Sequence, residues 1–168
     1  MKECYFFRKT HMKKPRLAVS SKDKSIADLV SISDHKILAI WAADCAERAL
    51  PYFEKTYSED NRPRKVIEAG HAWVRCKIKM AKARKAAFAS HAAAREANHV
   101  SEACSAARAA GHAAASAHVA GHAIYAAVYA ATAVRDAIGC IDDADIATAR
   151  ERDWQYQHLL ELRESLLG

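Results

Sequence analysis

Beyond residue 33 the apolar positions recur at three- and four-residue spacing, in blocks divided by turn formers, and nowhere alternate as a half-buried strand would. Ser33 and Asp34 are good caps for a first helix that ends near Pro51. Its inner face carries Leu38, Ala42, Cys45, Ala46 and Ala49, with Trp41 flanking. Asp60 or Asn61 caps a second helix, with Pro63 in its first turn. There Val66, Ala69, Gly70 and Trp73 face inward, while Arg64, Lys65, Glu68, His71 and Arg75 face out. A third helix runs from about Met80 to Ala97, with Ala83, Ala87, His91 and Ala94 on one stripe, and Ser101 caps the next. Asp142 or Asp143 opens the last helix, whose apolar edge is Ile146, Trp154, Leu159, Leu160 and Leu166.

The stretch Ala86–Ala137 dominates the pattern, with 24 alanines in 52 residues. Alanine is the best helix former because it loses no side-chain entropy. Its small side chain also lets helices meet at the short end of the usual separation. One helix from Ser101 to Ala137 would be about 55 Å long, whereas a compact chain of this size is roughly 40 Å across. Two helices, 101–118 and 121–138, are therefore expected, broken at Gly121, where glycine can adopt a left-handed helix end. On the second of them Ile124, Ala127, Val128, Ala131, Val134 and Ile138 line one side, and His122, Tyr125, Tyr129 and Thr132 the other; both sides read as buried. No Asp, Glu, Lys or Arg interrupts residues 109–134, so the rest of the chain must cover them.

These elements predict an all-α, single-domain bundle of about six Ala-rich, closely packed helices over residues 34–168. Residues 1–33 form a basic, partly ordered arm in which Ile26, Leu29 and Val30 could make one short turn against the body. A weak echo, Ser90-His91-Ala92-Ala93-Ala94 against Gly111-His112-Ala113-Ala114-Ala115, points to stacked helical hairpins.

Composition narrows the setting. Five widely spaced cysteines without a CxxC pair argue for reduced thiols in a cytoplasmic protein. The amino terminus lacks the apolar run of a signal peptide, and the alanine-rich, histidine-bearing stretch is a poor membrane span. The net charge of +6 is uneven: residues 62–85 carry nine Lys/Arg against Glu68 alone, and residues 86–168 carry six against ten. That layout suits a protein partner or an acidic ligand.

Candidate chemistry is sparse. Asp44 and Arg48 stand at i,i+4 with Glu47 beside them, an exposed ion pair or a polar cluster that meets a partner. As an acid/base pair, Asp44 and Glu47 are unremarkable, and no nucleophile elbow, phosphate loop or dinucleotide turn accompanies them. His118 and His122 have metal-ligand spacing only if the helix is unbroken at Gly121; with His91 and His112 they make a metal-binding alternative. A second alternative is nucleic-acid binding through the basic 62–85 region and the arm at Arg8–Arg16, against which stands the scarcity of interleaved aromatics. No catalytic residue, metal or cofactor is assigned.

The runs LAIWAADCAERALPYFE (38–54), RPRKVIEAGHAWVR (62–75), ARKAAFASHAAAREA (83–97) and ARAAGHAAASAHVAGHA (107–123), with ERDWQ at 151–155, resemble a bacterial and archaeal family of putative immunity proteins. This is the type-five-like group associated with polymorphic toxin systems. The resemblance spans roughly residues 34–160. It implies a small, non-enzymatic, all-helical cytoplasmic protein that binds and neutralises a cognate protein toxin. Asp44, Glu47, Arg48, Arg64, His91, Arg95, His112, His118 and His122 are then the candidate partner-binding or polar-network residues. In that family a glycine usually stands at the position of Cys76, and an acidic residue often at that of Gly121. The oligomeric state is open, a homo-oligomer included.

Overall fold

The computed structural model describes residues 17–165, and every described element is helical. Seven helices follow in order: α1 Asp23–Ser31, α2 His35–Glu54, α3 Arg62–Val74, α4 Met80–Glu96, α5 Ser101–Ala115, α6 His122–Asp136 and α7 Ile141–Ser165. The chain is an all-α bundle, with one helix more than the spacing predicts. The addition is α1, which extends the short turn expected at Ile26 and Leu29 to nine residues and buries both side chains.

Helix α5 is the centre. It packs against α2, α3, α4 and α6, and ten of its fifteen residues are buried, eight of them alanine. Across residues 109–134 only Val119, Gly121 and Tyr125 are exposed, so the uncharged stretch is indeed the interior. Gly70 of α3 shows how close the helices come: a Cβ there would stand 3.9 Å from the Ala114 Cα and from the Ala43 Cβ. Larger residues close the ends of this small-residue core, with Trp41, Leu50, Phe53 and Leu159 all buried. Tyr125, expected inside, is half exposed because α6 turns only its alanine stripe and Thr132 fully inward.

Several boundaries follow the sequence signals and some do not. The Asp34 side chain caps α2, accepting from the Lys36 N–H at 2.7 Å. Helix α2 runs through Pro51 to Glu54 rather than ending at the proline. Proline deletes one N–H, but its carbonyl still accepts from the Lys55 N–H at 3.0 Å, and buried Leu50 and Phe53 hold the last turn on the core. Asp60 accepts from the Arg62 N–H at 3.0 Å and opens α3. Ser101 does not cap α5; it is the first helical residue, and Val100 precedes it in extended conformation.

The expected break in the long stretch is present at residues 116–121, with a different cause. Gly121 has φ −59° and ψ −18°, ordinary right-handed geometry, and the turn is closed instead by the His118 and Val119 N–H groups on the Ala115 carbonyl. The left-handed residue is Cys76, φ 57°, after α3. Its N–H bonds the Trp73 carbonyl and that of Lys77 the Ala72 carbonyl, both at 2.8 Å. This is the helix-ending motif that favours glycine.

Candidate functional site

Three helices bring polar side chains to one open cleft of about 290 Å³, lined by Asp44, Glu47 and Arg48 of α2 and by Trp154 and His158 of α7. His71 of α3 adjoins it. The spacing of Asp44, Glu47 and Arg48 places them on one side of α2, opposite the apolar face that anchors it. The expected Asp44–Arg48 ion pair does not form. Arg48 turns to α7 instead, where its Nε and Nη2 donate to Glu151 Oε2 at 3.2 and 3.0 Å and its guanidinium lies 3.9 Å over the Trp154 ring. Glu151 is nearly buried, so this cross-helix partner offers lower dielectric than an exposed i,i+4 carboxylate. Asp44 accepts from His158 Nε2 at 2.7 Å, and Trp154 stacks on the His158 ring at 4.8 Å. His71 Nε2 faces Asp44 Oδ1 at 3.9 Å and Glu47 Oε2 at 3.6 Å.

Behind the cleft the polar chain continues inward. Gln155 donates to Glu151 Oε1 and to the Ala127 carbonyl, both at 3.0 Å, and its own carbonyl accepts from Trp41 Nε1 at 2.8 Å. Arg152 is 1% exposed; it donates to Gln155 Oε1 at 2.7 Å and to Asp23 Oδ1 at 3.0 and 2.7 Å. The inner face of α7 is therefore mostly polar: Ala144, Thr148, Glu151, Arg152, Gln155 and Leu159. Of the apolar edge predicted for this helix, Ile146 is 51% exposed, and Leu166 lies outside the described residues.

A second group gathers four histidines at the α4–α5–α6 junction. His91 and His112 meet edge to face at 5.1 Å, and His112 and His122 share an Nδ1–Nδ1 hydrogen bond at 3.1 Å. The His118 and His122 rings lie 5.3 Å apart, and His112 stacks on Tyr129 at 5.3 Å. Burial, then the charges of Arg108 and Arg95, hold His91 down to about 4; burial and the neighbouring His91, His122 and Arg108 do the same to His112. Burial and His118 also lower His122. Neutral imidazoles suit metal ions, yet no three of these rings place ligand atoms within 4.8 Å of one another; among the described residues only Asp44, Glu47 and His71 do so. Gly111 makes the quartet possible, because a Cβ there would lie 2.5 Å from His91 Cε1.

The candidate residues thus divide. Asp44, Glu47 and Arg48 line the cleft; His91, His112, His118 and His122 form the inner quartet, with Arg95 exposed beside it. Arg64 belongs to neither: its Nε and Nη2 donate to Glu54 at 2.7 and 2.8 Å. Arg62 is likewise taken by Asp60 and Glu96, which leaves Lys65, Arg75, Lys77, Lys79, Lys82, Arg84 and Lys85 as the exposed basic residues of α3, α4 and the turn between them. The arm at Arg8–Arg16 lies outside the described residues. Sequence reasoning placed His71 on the outer face and overlooked His158, Glu151 and Arg152. The Glu151–Gln155 run was the available signal, a string of polar residues on a helix that must bury one face.

No helix among the described residues is long and apolar enough to cross a membrane. No curated protein and no solved structure matches the chain. A family model does, over residues 28–162, a span that contains every residue of the cleft and of the histidine quartet. By that match the chain belongs to the family described as Imm-5 like putative immunity protein.

Proposed function

We propose that this chain neutralises a cognate protein toxin in the cytoplasm by binding it, with no catalysis of its own, through the cleft between α2, α3 and α7. Membership of the immunity family carries the reading. The cleft supports this choice of face. It is open, and it presents an aromatic and a guanidinium, the side chains that dominate binding energy at protein interfaces. Arg48 is already held by Glu151 and Trp154, so less rotamer freedom is lost when a partner docks. The mix of Asp44, Glu47, Arg48 and two histidines offers charge complementarity that can discriminate between related toxins.

The test is co-expression with the product of the neighbouring gene, scored for growth and for complex formation on purified proteins. Trp154→Ala and Arg48→Ala are expected to weaken the complex by about 2 kcal/mol each, roughly thirtyfold. Protection that survives both substitutions would move the interface elsewhere on the bundle. Absence of any protection by the unaltered chain would end the reading.

A further inference from the structure

We infer that Asp44, Glu47 and His71 form a binding site for a divalent transition-metal ion of the zinc class, with His158 holding Asp44 from behind. The inference concerns the same cleft but does not rest on toxin binding. Its ligand atoms come from two helices and lie within 4.8 Å of one another. Four-coordinate zinc with bonds of about 2.0–2.2 Å requires ligand atoms about 3.3–3.6 Å apart. His71 Nε2 stands 3.6 Å from Glu47 Oε2 and 3.9 Å from Asp44 Oδ1, too far for a good hydrogen bond; the first distance is at that tetrahedral edge and the second a few tenths of an ångström beyond it. The His71 side chain makes no hydrogen bond among the described residues, which leaves its nitrogen available.

Charge points the same way. Arg48 would neutralise the α2 carboxylates if it paired along its own helix, but it is committed to Glu151 across the interface. Asp44 and Glu47 therefore make no salt bridge to Lys or Arg among the described residues, and the two carboxylates offset the charge of a divalent cation. Metal-ligating groups are characteristically oriented by a further hydrogen bond from behind. Here His158 Nε2 donates to Asp44 Oδ2 at 2.7 Å, and its ring is fixed by stacking on Trp154. Three protein ligands leave a fourth position facing the cleft, open to water.

The full chain, stripped with chelator, is titrated with Zn²⁺ by calorimetry and with Co²⁺ by visible absorption, whose intensity reports tetrahedral geometry. One ion per chain is expected, with Kd micromolar or tighter. His71→Gln and Glu47→Gln should each weaken binding about a hundredfold or more, and His158→Gln by about 10–100-fold. Glu47 is 58% exposed, so its variant keeps the fold even if the others do not. His99→Ala, an exposed histidine on a different face, should change nothing. No saturable binding, or full affinity in both Glu47→Gln and His71→Gln, overturns the site; the second result would place the ion among the other histidines. Toxin protection measured with and without chelator keeps the two readings apart, because loss of metal binding leaves complex formation to be judged on its own.

Discussion

Replacing Gly111 with alanine should be harmful only because of His91. In a helix interior Gly→Ala gains about 1 kcal/mol. At this position the new Cβ would lie 2.5, 2.7 and 2.8 Å from three atoms of the His91 ring, where ordinary contacts begin near 3.4 Å. The ring must leave its slot and give up its edge-to-face contact with His112. Overpacking of a tight interior costs about 1–3 kcal/mol, so Gly111→Ala alone should range from neutral to about 2 kcal/mol destabilising once the helix gain is subtracted. In a His91→Ala background the obstacle is gone and the same change should stabilise by about 1 kcal/mol. The coupling energy of the cycle is then about 1–3 kcal/mol. Urea unfolding of the four proteins measures it, and each kcal/mol corresponds to about 2–4 °C in Tm for a chain of this length. Equal stabilisation by Gly111→Ala in both backgrounds would refute the packing of glycine against imidazole.

Three further outcomes are expected. His91 and His112 are held near 4 in the folded protein against an ordinary 6.5, so below pH 6.5 the unfolded chain takes up protons that the fold refuses. Stability should therefore be insensitive to these two above pH 6.5 and fall as pH drops toward 4, by about 1 kcal/mol per pH unit for the pair after allowance for their partial exposure; His112→Gln should flatten the urea midpoint between pH 7 and 5. Cys76→Gly removes a left-handed non-glycine residue without losing packing, since the thiol is exposed, and should stabilise by about 0.5–1 kcal/mol in thermal unfolding. Arg152→Ala truncates a fully buried side chain and strands the Gln155 carbonyl oxygen, so a loss of about 3 kcal/mol or more is expected by urea titration, with Asp23 and α1 the first region to lose amide protection.

Much of this fold is written in spacing. The inner face Leu38, Ala42, Cys45, Ala46 and Ala49 is buried as its periodicity requires, and so is most of 109–134. Helix-end geometry was less legible. Gly121 suggested a left-handed turn and Cys76 did not, because residue type ranks conformations while tertiary packing selects among them. The seam of α7 was misread for a related reason. Glu151, Arg152 and Gln155 satisfy one another inside the protein, and a pattern that equates burial with apolar residues sends them outward. At the cleft, Asp44, Glu47 and Arg48 were found through their shared helix face. Their actual partners lie on α3 and α7 and carry no local signal in α2.

The alanine interior bears on how such a chain can change. A buried alanine has no rotamer to freeze, so α5 orders with little loss of side-chain freedom. It equally has little slack: at Gly111 of the same helix an added Cβ would lie 2.5 Å from His91 Cε1, so even one methyl there must displace a neighbour. The exposed lysines and arginines between Lys65 and Lys85 stand outside this constraint and can be exchanged without disturbing the frame. Change in such a chain falls to its outer side chains, while the centre keeps its shape.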